Sequence, residues 1–390
     1  MKTLKRIAAC LLAGSLALSC IYPYEGELDS IEGTLVIEGD IILGETAVFR
    51  VSRVQSLDAP SSGSYVSVDS NIWVEGEDGT VYPGESSWSE GPSYSVDLRE
   101  APENTRYRLH VSVLESKRDY VSSWREPQMA PIIDGVSLEI EKTDNPSIYI
   151  PRGKARVSMH AREGASEYFR WDYEQEWQYH AWYWRQYDYD FEAREYVPSF
   201  EEKTYWCWTK SPSSESQIAI AIGDEHNQIR DHVFLNFVSR TGDMFQRRYG
   251  IHVIARGVSE ECYQYLYALQ LNSNSTGDLF APNPSELRGN VVCEEDPDEL
   301  VLGFIEVSRT SEAWGFLIDA DAYFDPGDKQ ATALYDVSPD DLESLYLQGW
   351  RPIKDVSPEE GPAYVGWAPP AWCDCRSLGG TNVKPSYWED

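Results

Sequence analysis

The chain of 390 residues is short of positive charge, of histidine and methionine, and of catalytic signatures. Lys and Arg number 33 against 65 Asp and Glu, a formal net charge of −32. Such a balance repels phosphate backbones and anionic headgroups, which argues against nucleic-acid binding and polybasic membrane docking. Beyond residue 20 no stretch combines the length and apolarity of a membrane-spanning helix. The six histidines, at 110, 160, 180, 226, 232 and 252, show no ligand spacing on a helical pattern. There is no H-E-x-x-H, no G-x-S-x-G and no phosphate-binding loop, and no internal repeat. Ordinary contents of Gly (27) and Pro (22) exclude a collagen-like or wholly disordered chain.

What is present begins at the N-terminus. Lys2, Lys5 and Arg6 precede an apolar run from Ile7 to Leu18, a charged region followed by a short hydrophobic one. The run ends Ala17-Leu18-Ser19-Cys20, similar to a bacterial lipobox with alanine where leucine is usual. On that reading residues 1–19 are a signal peptide, Cys20 is acylated and the lipid is the anchor. An ordinary secretory signal cleaved nearby is the alternative. Residues 20–33, containing Glu25 and Glu27, then form an acidic tether.

An exported chain sits where disulfides persist. Cys262 falls on one face of the helical pattern near 259–272 with Leu266 and Leu269, which suits a small core residue. Cys207, Cys293, Cys373 and Cys375 remain as disulfide candidates. Cys373 and Cys375, one residue apart, are poorly placed to bridge each other, so each would pair with Cys207 or Cys293 in an order left open. A zinc site is the weaker alternative, because C-x-C with two scattered cysteines lacks the usual spacing.

Periodicity points to a mainly β chain. Leu35 to Glu38, Phe49 with Val51, Ile72 with Val74, and Tyr107 to Val113 alternate as half-buried strands, with a hairpin at Asp78-Gly79. Strands at this spacing over 34–130 suggest an immunoglobulin-like or fibronectin-like sandwich. Residues 131–390 read as a larger β-rich domain with one short helix near 259–272 and a Cys-rich C-terminal tail. Ile218, Ile220 and Ile222 alternate, as do Tyr249, Ile251 and Val253, and Val301 to Val307 is a near-continuous apolar run. From about 325 onward periodic signals are few. The segment 223–232, with His226 and His232, reads as a polar loop.

Several stretches together resemble the exported lipoproteins of domain-of-unknown-function family 4249 of the Bacteroidota. They are Leu35-Val36-Ile37-Glu38-Gly39; the aromatic strand Tyr168 to Trp177 with Cys207-Trp208; Cys262-Tyr263 followed by Gly277-Asp278-Leu279-Phe280; and Cys373-Asp374-Cys375-Arg376 with Lys384-Pro385-Ser386-Tyr387-Trp388. The resemblance covers nearly the whole chain after the signal. It implies an outer-membrane lipoprotein on the cell surface, with the periplasmic face as the alternative, and an association with TonB-dependent transporters. It implies no activity and no cofactor.

Aromatic side chains are concentrated in 168–208, where 17 of 41 residues are Phe, Trp or Tyr. Such rings stack on sugar C–H faces and on apolar peptide side chains. The run 179–187 would put large rings on both faces of a strand. Trp177, Trp182, Tyr183, Trp184 and Tyr187 are therefore candidates for a surface that takes a glycan, a peptide or a protein partner, against a packed core or seam. Glu174 and Glu176 would share a strand face, as glycosidase acids might. Asp319, Asp321, Asp325 and Asp328 could offer oxygens to a structural Ca²⁺, but they depart from the EF-hand pattern and a solvated turn is the simpler reading. The expected function is non-catalytic: ligand capture, or an accessory role beside a TonB-dependent transporter. A surface adhesin or scaffold, and then a glycan hydrolase, are the alternatives.

Overall fold

The computed structural model describes residues 33–54, 66–87, 93–141, 152–185, 187–199, 204–211, 217–238, 247–274, 287–317, 334, 337–354 and 365–388. The protein is mainly β, as the alternation predicts, with a few short helices. Strands β1 (Leu35–Glu38), β2 (Ile41–Ile42), β3 (Thr46–Arg53), β4 (Val66–Ser67), β5 (Ser70–Gly76), β6 (Val81–Ser87), β7 (Ser93–Asp97), β8 (Tyr107–Val113) and β9 (Arg118–Ser122) form the first unit. β5 and β6 are the expected hairpin. Gly79 adopts φ 87° and the Asp78 carboxylate accepts from the Thr80 N–H at 2.9 Å, the chemistry that makes Asp-Gly a tight turn.

Later chain completes this unit. β19 (Val291–Cys293) pairs with β9, β20 (Val301–Leu302) runs parallel to β1, and β21 (Val307–Ser308) runs parallel to β2. The resulting ten-stranded sheet follows the order β19-β9-β8-β5-β6-β7-β3-β1-β20, with β4 beside β3. Its alternate side chains meet in one largely aliphatic core that includes Leu35, Phe49, Val74, Leu109, Cys293 and Val307. The segment 34–130 therefore shares its hydrogen bonding and its core with residues 291–308. The apolar run Val301 to Val307 is not one strand: it breaks at Gly303, with φ 140°. A Cβ there would lie 2.1 Å from the Ile37 carbonyl oxygen, so the backbones approach too closely for any side chain.

The second unit packs two sheets face to face. One is β10 (Ile132–Glu141), β11 (Arg152–His160) and β17 (Gln228–Val238); the other is built on β12 (Tyr168–His180) and β18 (Arg248–Val258). β12 is flanked in turn by β15 (Trp206–Lys210) and β16 (Gln217–Ile222), and β18 by β22 (Ser311–Leu317). Phe169, Trp171 and Tyr173 on β12 meet Ala155, Val157 and Met159 on β11 in the core between them. His232, expected in a loop, lies on β17 opposite Val157, its ring edge-on to Trp171 at 5.4 Å. The predicted helix is α1 (Glu260–Asn274), with Ser259 accepting from the Cys262 N–H at its start.

A C-terminal wrap adds two helices the periodicity did not indicate, α2 (Pro339–Leu347) and the single turn α3 (Pro370–Cys373). With the hairpin β13 (Tyr187–Asp190)–β14 (Glu195–Pro198) and the pair β23 (Arg351–Lys354)–β24 (Val365–Ala368), they cover one end of the second unit. Among the described residues no helix is long and apolar enough to cross a membrane.

Candidate binding surface

β12 carries the aromatic segment into this end. Its last residues, Tyr179 and His180, pair with Cys207 and Trp206 on β15, and the chain then leaves the sheet at Ala181. The strand pattern stops where the aromatic run becomes continuous, which relieves the problem of large rings on both faces. The five candidate residues divide. Trp177 is half-buried between the second unit's core and a small cluster of Tyr179, Ala181, Cys207 and Cys375. Tyr183 packs on Ile353, Ala368 and Cys373. Trp182 meets the edge of Trp372 at 5.6 Å, and Tyr187 lies on the hairpin opposite Pro198. Trp184 is the exposed one, 42 % accessible.

Trp184 does not stand alone. Its ring is tilted over Tyr205 at 5.8 Å, and Tyr205 stacks on His180 at 5.0 Å and 19°. Trp206 closes the group edge-on to both His180 and Tyr205. This ledge of rings on the second unit's margin joins residues 180–184 to 205–206. The candidates read from the sequence include Trp184 but not His180 or Tyr205, although the density of aromatics around 205–208 is the signal that points to them. Burial raises the Tyr205 pKa, so its hydroxyl stays protonated.

The ledge is held by a covalent and a hydrogen-bonded clasp. Cys207 and Cys375 form a disulfide across 168 residues of sequence. The Tyr179 hydroxyl donates to the Cys375 carbonyl at 2.8 Å and accepts from the Gly380 N–H at 2.9 Å, while Trp208 and Thr381 exchange both backbone bonds. The expectation of two bridges among four cysteines needs correction. Cys293 lies in the first unit's core and donates to Glu295 at 3.3 Å; Cys373 is a buried thiol, its pKa pushed up to about 11 by burial. The one-residue spacing turns Cys373 and Cys375 into different clusters, so only Cys375 reaches Cys207. Cys262 is a free, fully buried core residue.

The opposite end of β12 holds a polar site that composition does not reveal. Asp40, buried in the turn after β1, accepts from Arg170 at 2.7 Å and from Arg256 at 2.8 Å; Arg256 also pairs with Asp172. Burial alone would make the Arg170 proton easier to lose, but Asp40 and Asp172 overcome it and raise its pKa. Beside this group Glu306, fully buried, accepts from the Ser259 N–H at 2.9 Å and from Arg125 Nε at 3.3 Å. Arg125 reaches on to Glu261 at 2.7 Å. Charges from the first unit, the second sheet and the start of α1 thus neutralise one another at the junction of the two units.

Glu174 and Glu176 do share the outer face of β12. Glu176 is 6 % exposed, and burial raises its pKa against the lowering effect of a 2.6 Å hydrogen bond from the Tyr387 hydroxyl. Tyr387 stacks on Trp314 at 4.6 Å, and Trp314 on His252 at 4.3 Å, so the C-terminal residues cover this face. Among the described residues no group of three or more His, Cys, Asp or Glu side chains could hold a metal. Cys20 and the aspartates at 319, 321, 325 and 328 lie outside the described residues.

Residues 21–313 match the family described as a domain of unknown function (DUF4249), and the chain belongs to that family. No curated protein matches it.

Proposed function

We propose that the protein is a non-catalytic, lipid-anchored surface component of an outer-membrane nutrient-uptake system, capturing a ligand or docking on a TonB-dependent transporter. The observation that carries the reading is the exposed Trp184 at the tip of the stack with Tyr205 and His180, on a margin tied by the Cys207–Cys375 disulfide. Exposed aromatics on a rigid support lose little entropy on contact and are the residues that anchor interfaces. The acylation reading of Cys20 and the acidic tether would place this margin outside the lipid.

The test is affinity purification of the native protein from gently solubilised outer membranes, with companions identified by mass spectrometry. A stoichiometric transporter that is lost on Trp184→Ala supports the docking role. Recovery alone, in a detergent that preserves a known complex, counts against it. A glycan hydrolase is the second reading, favoured by Glu174 and Glu176 on one face with Glu176 holding its proton to higher pH. Turnover of a glycan abolished by Glu176→Gln would establish that reading in place of the first.

A further inference from the structure

The first unit carries a cleft that the proposed role of Trp184 leaves unused. It opens where β6 parts from β5. Their pairing reaches Trp73 opposite Pro83, and from Gly84 onward β6 pairs with β7 instead. The crossing is tight: a Cβ on Gly84 would meet the Ile72 carbonyl oxygen at 2.7 Å. Tyr94 then takes the place of the departing strand. Its hydroxyl accepts from the Ser70 N–H at 2.8 Å and donates to the Val68 carbonyl at 3.2 Å. The gap of about 430 Å³ is therefore supported by its own hydrogen bonds and is within the size range of small-ligand pockets.

Its chemistry is unusual for so acidic a chain. Ile72 and Tyr94 form the floor, Trp73, Val81 and Pro83 an apolar wall, and Asn71 and Ser86 the exposed rim. None of the described residues lining it is charged, in a sequence with 65 acids. Trp73 is fixed in place. His110, on the strand to the other side of β5, stacks on the indole at 4.8 Å and 8°, and Glu75 holds that imidazole at 2.7 Å. Trp73 lines the cleft beside its cross-strand partner Pro83.

We propose that this cleft binds a neutral pyranose of a β-linked glucan. A ring with equatorial hydroxyls presents a flat C–H surface to the part of Trp73 that lines the cleft, and its hydroxyls can exchange hydrogen bonds with the Asn71 amide and the Ser86 hydroxyl. A charged sugar would find no opposite charge among the described lining residues and would bear the cost of desolvation. The site is separate from the Trp184 ledge and does not depend on a transporter partner.

The test is saturation-transfer NMR of the full mature protein with cellotetraose. Transfer to the sugar C–H protons is expected, lost in Trp73→Ala and weakened in Asn71→Asp. No transfer from the native protein, or undiminished transfer from a folded Trp73→Ala variant, would overturn the proposal. Loss on Trp184→Ala would also overturn it, because it would move the site to the other unit. Should Trp73→Ala fail to fold, Ser86→Trp fills the cleft from its exposed rim and must abolish transfer; persistence there overturns the assignment as well.

Discussion

The first β unit and the C-terminal wrap solve the same problem by different means. In the first unit many small aliphatic side chains, from Leu35 to Val307, interlock in one core, and strands from opposite ends of the chain share the same ladders. The wrap has two four-residue strands and clusters of only three or four buried residues, so it relies on a disulfide, the Tyr179 hydroxyl and interleaved rings. Where alternation is regular, apolar burial is distributed and redundant. Where it is not, stability rests on a few identifiable bonds, and the rings left at the margin become available for contact. Between the two lies the ionic junction of Asp40, Arg170 and Arg256, which belongs to neither scheme.

The junction is where the contrast breaks most sharply. Asp40→Ala leaves two buried arginines with only Asp172 to balance them, and should cost about 3–5 kcal/mol, read as a lower urea midpoint for both β units together. Removing the clasp with Cys207→Ser should cost about 2–4 kcal/mol and act locally. Hydrogen exchange should rise around 372–388 while β5 and β8 keep their protection; a uniform rise would show that the wrap and the first unit unfold as one. Glu176→Gln sharpens the picture in the other direction. The folded carboxyl titrates above its ordinary 4.5, so folding takes up a proton in that window. The stability it contributes is fully present below about 4.5 and lost as pH rises through the higher folded value. The amide should therefore raise the melting temperature at pH 7 by about 1–2 °C, with the gain shrinking as the pH approaches 4.5. The smallest effect on stability belongs to Trp184→Ala, within about 0.5 kcal/mol by thermal melting, while partner recovery falls.

Local signals were sufficient for much of this. The alternation of Tyr107 to Val113, the Asp78-Gly79 turn and the Ser259-Glu260-Glu261 start of α1 each specify their element through neighbouring residues alone, and each forms as read. α2 carries no periodic signal because its window has a single buried apolar residue, Leu342, although Ser338-Pro339-Asp340-Asp341 is helix-start chemistry. The break at Gly303 is invisible locally, since what forbids a side chain there is the backbone of Ile37. Arg170, Asp172 and Arg256 look like the solvated face of ordinary strands; it is Asp40, 130 residues before Arg170, that buries and pairs them.

By itself, then, the sequence determined the β class, the principal strands, one hairpin, one helix and the membership of a family, because periodicity and turn chemistry act over a few residues. Tertiary structure alone decided that residues 291–308 return to the first sheet, that Cys207 takes Cys375 and leaves Cys293 and Cys373 as thiols, and that Trp184 faces outward while Tyr183 packs inward. Each of those outcomes depends on which distant backbone arrives at a given place, and a contact between residues more than a hundred positions apart leaves no periodic trace in either of them.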